Sequence, residues 1–229
     1  MSDLILTAQL EETSRLGMKL LGMVNNDSSS LTKVLANLLR AGGESFGAIG
    51  LLCDDGFERE AWIITRTLFE MAVTARYLRK NPDQLESYAN FSYMTDKRLA
   101  DGLLAQGIPL PATMTAMIDE QHASVGPLYK ADKPHKTRTK WSEHQIGQMA
   151  RNVKLGHVYD AWYPMMSHVS HAGYQMMETV ARSDLPVHFA LCFWQIIIRV
   201  LNTQVKGGLK NELDALWKQS PMSTNIHIA

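Results

Sequence analysis

Apolar residues recur at three- and four-residue intervals along most of this chain, and no segment alternates apolar and polar positions over the length of a strand. Leu4, Leu6, Leu10, Leu16, Leu20 and Leu21 predict a first helix, which Asn25-Asn26-Asp27 closes. Asp27 or one of Ser28 to Ser30 can N-cap a second, with Leu31, Val34, Leu35, Leu38 and Leu39 on its apolar face; Ala41-Gly42-Gly43 is expected to bend or break it. The third helix, over 57–79, carries Trp62, Ile63, Leu68, Phe69, Val73 and Leu78 and stops at Asn81-Pro82. Pro82 opens a fourth that ends near Gly107-Ile108-Pro109, and a short helix follows over 114–123.

Between Gly126 and Trp141 the period is lost, and Lys130, Lys133, Lys136, Arg138 and Lys140 mark a basic connector. Ser142 is then expected to cap a helix, with Gln145 completing a capping box and Gly156 ending it. Two long helices over 158–181 and 186–205 follow, separated by Ser183-Asp184-Leu185-Pro186. The expectation is an all-α bundle of about seven to nine helices without a sheet, forming a single domain over 1–220 with a frayed tail over 221–229.

Composition agrees with a folded globular chain: 229 residues, 45% hydrophobic and 20% charged. The 23 Lys+Arg balance 23 Asp+Glu, so polyanion binding requires a local patch rather than net charge. Cys53 and Cys192 are too few and too far apart for a disulfide framework or a thiolate metal site, which suits a reducing cytoplasm. Asp3 stands where a signal peptide needs positive charge, and Gln195 and Arg199 interrupt the most apolar stretch, so neither secretion by that route nor a membrane partner is expected. An apolar stripe left over on such a bundle is most simply used in a homodimer.

Three groups of residues could carry chemistry. Arg59, Arg66 and Glu70 share the third helix, with Arg66 and Glu70 four apart on one face. On a late helix, Ser167, His171, Tyr174 and Glu178 fall on one stripe that joins a hydroxyl, an imidazole, a phenol and a carboxylate, groups suited to general acid–base work or phosphate positioning. Arg151, Asn152 and His157 form a third group beside Lys154 and the basic connector. The competing reading of each is a structural clasp or a solvated face. His168 and His171 lack the further ligands of a metal site, and Gly42-Gly43 and Gly207-Gly208 complete no phosphate loop, so no metal and no cofactor is expected.

Arg66-Thr-Leu-Phe-Glu70-Met-Ala-Val, then Trp141-Ser142, Ile146, Met149-Ala150, and the ladder Tyr159, Tyr163, Ser167, His171 together resemble a bacterial all-helical domain family of unknown function, the DUF5677-type family, over about 50–173. The resemblance implies a site at Arg66, Glu70, Tyr163, Ser167 and His171, the residues the helical stripes also select, and the residue groups themselves add Arg59, Tyr174, Arg151 and His157 as expected substrate contacts. The late helix is also similar to the signature of the HEPN helical superfamily, in which an Arg, a polar residue and a His line a dimer cleft. That resemblance implies a HEPN-like core and a metal-independent RNase or nucleotide-binding protein with an antitoxin or phage-defence partner. Here His171 serves as acid–base or phosphate ligand and the RNA 2′-hydroxyl as nucleophile. Ser167 replaces the expected Arg, so either an Arg comes from another helix, with Arg66 the candidate, or catalysis is lost; Arg151-Asn152 to His157 has the right residue types but is interrupted by Gly156. The alternative is a non-catalytic interaction or ligand-binding module whose Arg-Glu-His cluster is structural.

Overall fold

The computed structural model describes residues 2–24, 29–129, 141–170 and 185–219. Among these residues there are helices and turns and no strand, as the periodicity predicts. The α-helices are α1 (Ser2–Val24), α2 (Ser30–Asp54), α3 (Glu58–Lys80), α4 (Leu85–Ala105), α5 (Ala112–Val125), α6 (Ile146–Asn152), α7 (Gly156–Ser170), α8 (Leu185–Gln204) and α9 (Lys210–Gln219).

The chain divides into two compact units, one from residues 1–80 with 146–229 and one from 81–145. In the first unit α8 is the central element: fifteen of its residues are buried, including Phe189, Phe193, Ile196 and Ile197. It packs against α2 and α3. Its length and composition would suffice to cross a membrane, yet 83% of its apolar window is buried inside the protein, so it is a core helix here. Phe69 of α3 meets Phe193 edge-on at 5.1 Å and Tyr163 of α7 at 5.8 Å, so one ring fixes α3 against both neighbours. In the second unit α4 and α5 enclose Met94, Val125 and Tyr129, with the Tyr129 hydroxyl donating to the Ser87 carbonyl at 2.6 Å.

Three local expectations are corrected. Gly42-Gly43 does not interrupt α2, which runs unbroken to Asp54. A Cβ at Gly43 would stand 3.0 Å from Trp194 Cζ2, and one at Gly42 3.2 Å from Trp194 Cδ1, so the glycines make room for a core indole. That indole donates to the Leu39 carbonyl at 3.2 Å and stacks on Phe46. Ser142 is not a helix cap: its hydroxyl accepts from the His144 amide at 3.1 Å in a turn, and α6 starts four residues later at Ile146. Gly156 does not end α6 either. The stop is at Asn152, where Lys154 takes a left-handed conformation (φ 62°) and the Leu155 amide reaches back to the Ala150 carbonyl at 2.7 Å. Gly156 opens α7 instead, and a Cβ there would lie 2.7 Å from Arg151 Cγ. The expected N-cap of α2 is found at Ser29, whose hydroxyl accepts from the Thr32 amide. The connector over 130–140 and the ends near 181–184 and 220–229 lie outside the described residues.

Candidate functional site

Arg66 projects from the middle of α3 toward α7, and its guanidinium is the hub of a polar cluster inside the first unit. Nε donates to Glu70 Oε1 at 3.2 Å, Nη2 to the Tyr163 hydroxyl at 2.9 Å and Nη1 to Ser167 Oγ at 3.5 Å. The Tyr163 hydroxyl in turn donates to Glu70 Oε1 at 2.7 Å. Arg66 meets Ser167, Glu70 meets Tyr163, and Lys80 Nζ meets the Asn152 carbonyl at 2.7 Å, so α3 and the chain leading through α7 run antiparallel. Helical spacing explains both halves: 66 with 70 and 163 with 167 are each one turn apart, so two i, i+4 pairs face each other across the helix seam. Pro164 lies inside α7 and has no N–H to give the Asp160 carbonyl, which removes one rung of the helix beside the cluster.

The electrostatics follow from partial burial. The Arg66 and Glu70 side chains are 25% and 40% exposed, so the pair is screened by water but not fully solvated. The Tyr163 phenol is pushed up to about 12, first by burial and then by its bond to the Glu70 carboxylate, against the opposing pull of Arg66. Near neutral pH it is therefore a hydrogen-bond donor rather than a base. Arg66 is held above its ordinary value: burial disfavours its charge, and the bond to Tyr163 and the charge of Glu70 outweigh that. A guanidinium carries five N–H donors, and three are engaged by described residues, which leaves one hydrogen on each terminal nitrogen that no described residue accepts.

Beyond the hub, Tyr163 stacks on Tyr159 at 4.6 Å, and the Arg151 guanidinium lies over the Tyr159 ring at 5.6 Å while pairing with Asp160 at 2.5 Å. Arg151 is thus joined to the cluster through two tyrosine rings, a link that Tyr159 could have signalled in the sequence as the first step of its own four-residue ladder. Arg59 lies two turns before Arg66, contacts Glu60 at 3.5 Å and keeps a buried Nε with no hydrogen-bond partner among the described residues. His157 is exposed at the start of α7. It is eleven residues from His168, about 16 Å along the helix, too far for one metal ion. Among the described residues no group of three or more His, Cys, Asp or Glu side chains is placed to hold a metal. His171, Tyr174 and Glu178 lie outside the described residues.

These helices and their cluster define a class: an all-helical domain in which the arginine–carboxylate pair of one helix is engaged by the hydroxyls of an antiparallel neighbour. The chain belongs to the family of unknown function DUF5677, whose description matches residues 32–184 and so takes in Arg66, Glu70, Tyr163, Ser167 and His171. No curated protein and no solved structure matches it.

Proposed function

We propose that this chain is a HEPN-like, metal-independent endoribonuclease of a bacterial toxin or phage-defence system, with the Arg66 cluster as its phosphate site. What carries the reading is the approach of Arg66 Nη1 to Ser167 Oγ, at 3.5 Å. Ser167 occupies the place where the HEPN signature has its arginine, and a guanidinium from α3 arrives at that place. On this reading the two remaining N–H groups of Arg66 neutralise charge on a scissile phosphate. His171, four residues after Ser167 in the sequence, accepts the proton of the RNA 2′-hydroxyl as it attacks phosphorus. The bond to the 5′-oxygen breaks, that oxygen takes up a proton, and the products are a 2′,3′-cyclic phosphate and a 5′-hydroxyl. Tyr163, protonated at working pH, and Ser167 orient the guanidinium. A nucleotide-binding protein would use the same residues without the bond-breaking step. The cleft implied by the HEPN likeness needs a second copy of the chain, and light scattering of the purified protein at a dimer mass would support it.

The test is incubation of wild type, Arg66→Ala and His171→Ala with total RNA and with tRNA, in EDTA and then in divalent metal. Discrete fragments in EDTA that disappear with either variant support the reading, and intact RNA throughout overturns it. A second reading is favoured by the hydrogen bonds of Arg66 themselves: three of its donors are already satisfied within the protein, as a structural clasp requires. The protein would then be a non-catalytic interaction or ligand-binding module.

A further inference from the structure

Further along α3, the same unit holds a second concentration of charge that the Arg66 cluster does not use. Arg76, Arg79 and Lys80 from the end of α3, Lys154 from the α6–α7 turn and Arg199 from α8 line a cavity of about 360 Å³. No carboxylate is among its described lining residues. Arg79 and Lys80 have an ordinary explanation, because cations favour the negative end of a helix. Lys154, just past the end of α6, shares it, and Arg76 does not. Arg76 lies a turn deeper, where burial and the like charge of Arg79 both disfavour its charged state. Its Nη1 is buried with no hydrogen-bond partner among the described residues. Arg199 pairs with Asp214 at 2.7 Å and the Leu213 carbonyl, and its Nε is also buried and unpartnered. Buried guanidinium donors left unmade are costly, and a ligand that accepts from them removes the cost.

We infer that this cavity binds a small organic phosphate: a dianionic group held by the side chains of Arg76, Lys154, Arg79 and Lys80, with its organic body against Val153, Ile196 and Val200. The volume falls in the range of small-molecule sites and suits a mononucleotide-sized molecule rather than a nucleic-acid strand. Arg76 stands about 15 Å along α3 from Arg66, so the site is separate from the cluster and does not depend on the chain being a nuclease.

Calorimetric titration of the full chain at 150 mM salt with adenosine monophosphate, inorganic phosphate and sulfate tests it, with a single-stranded RNA 12-mer as a fourth probe. Saturable binding of the mononucleotide is expected, tighter than either inorganic anion. It is expected to weaken about 10- to 100-fold in Arg76→Gln and in the exposed Lys154→Gln, and to persist in Arg66→Ala. Lys154→Gln decides the matter alone where Arg76→Gln does not fold. The inference is overturned by absent binding, by affinity unchanged in these variants, by loss in Arg66→Ala, or by binding of the 12-mer alone. Equal binding of phosphate and the mononucleotide would overturn the organic part of the assignment. Because the readout is affinity, its failure leaves the cleavage assay untouched, and the reverse holds as well.

Discussion

The hydroxyl of Tyr163 donates to Glu70 Oε1 at 2.7 Å, while Arg66 Nη2 donates to that same hydroxyl at 2.9 Å. The phenol is thereby both acceptor and donor between two opposite charges, and burial together with the carboxylate outweighs the guanidinium: the group is pushed up to about 12. Glu70→Gln keeps an acceptor but removes the charge that helps raise it, so the phenol is expected to fall below its wild-type value while burial still acts on it. A spectrophotometric phenolate titration, wild type and Glu70→Gln each compared with Tyr163→Phe, reads the change. The sign for stability follows. The neutral phenol is favoured in the folded state, so its contribution is complete below pH 10 and is lost as pH rises toward 12.

Arg66→Ala separates the two functional readings by size. A half-open clasp that loses its hydrogen bonds is expected to cost about 1–2 kcal/mol, a fall of about 2–8 °C in the thermal midpoint for a chain of this length. A clasp that holds the core together would cost about 3–5 kcal/mol, because Glu70 would be left as an uncompensated buried charge. At 40% exposure Glu70 keeps water, which is why the smaller figure is expected.

Two glycines one turn apart on α2 are expected to behave oppositely. Nothing lies within 4 Å of a Cβ at Gly47, so Gly47→Ala gains about 0.5–1 kcal/mol of helix propensity. At Gly43 the same methyl meets Trp194 at 3.0 Å, and the indole is held by its bond to Leu39 and its stack on Phe46. Overpacking of about 1–3 kcal/mol then offsets the gain and leaves Gly43→Ala less stable by about 1 kcal/mol. Chemical denaturation of both variants checks the pair.

A third glycine reaches the site. A Cβ at Gly147 of α6 would come within 2.7 Å of the Tyr159 ring, which stacks on Tyr163. Gly147→Ala is expected to displace that ring, destabilise the protein by about 1–3 kcal/mol and alter the Tyr163 titration, whereas a purely local effect would leave the titration unchanged.

These cases show where the sequence is legible. The third helix could be read almost to the residue because apolar period, Pro82 and charge all agree on its limits. Arg66 with Glu70 and Tyr163 with Ser167 could be found because each pair obeys a local spacing of four. Gly42-Gly43 reads as a bend or break in α2 because a lone glycine pair carries no trace of an indole about 150 positions away. Ser142 fits a capping box in sequence, yet a hydroxyl can close a turn as readily as a helix. The cationic cavity was hidden for the same reason as the indole: Arg76, Lys154 and Arg199 are brought together only by tertiary packing, and the neutral net charge conceals them.

The first unit is assembled from both ends of the chain, and α8 fills its centre. On a ribosome moving at about 5–20 residues per second, roughly a hundred residues separate the emergence of α3 from that of α8, an interval of about 5–20 s. Throughout it Leu68 and Phe69 face no finished core, so the nascent chain carries this apolar face of α3 uncovered until α8 emerges. A chaperone that shields the first three helices during that window would act on the yield of folded protein without touching its final stability.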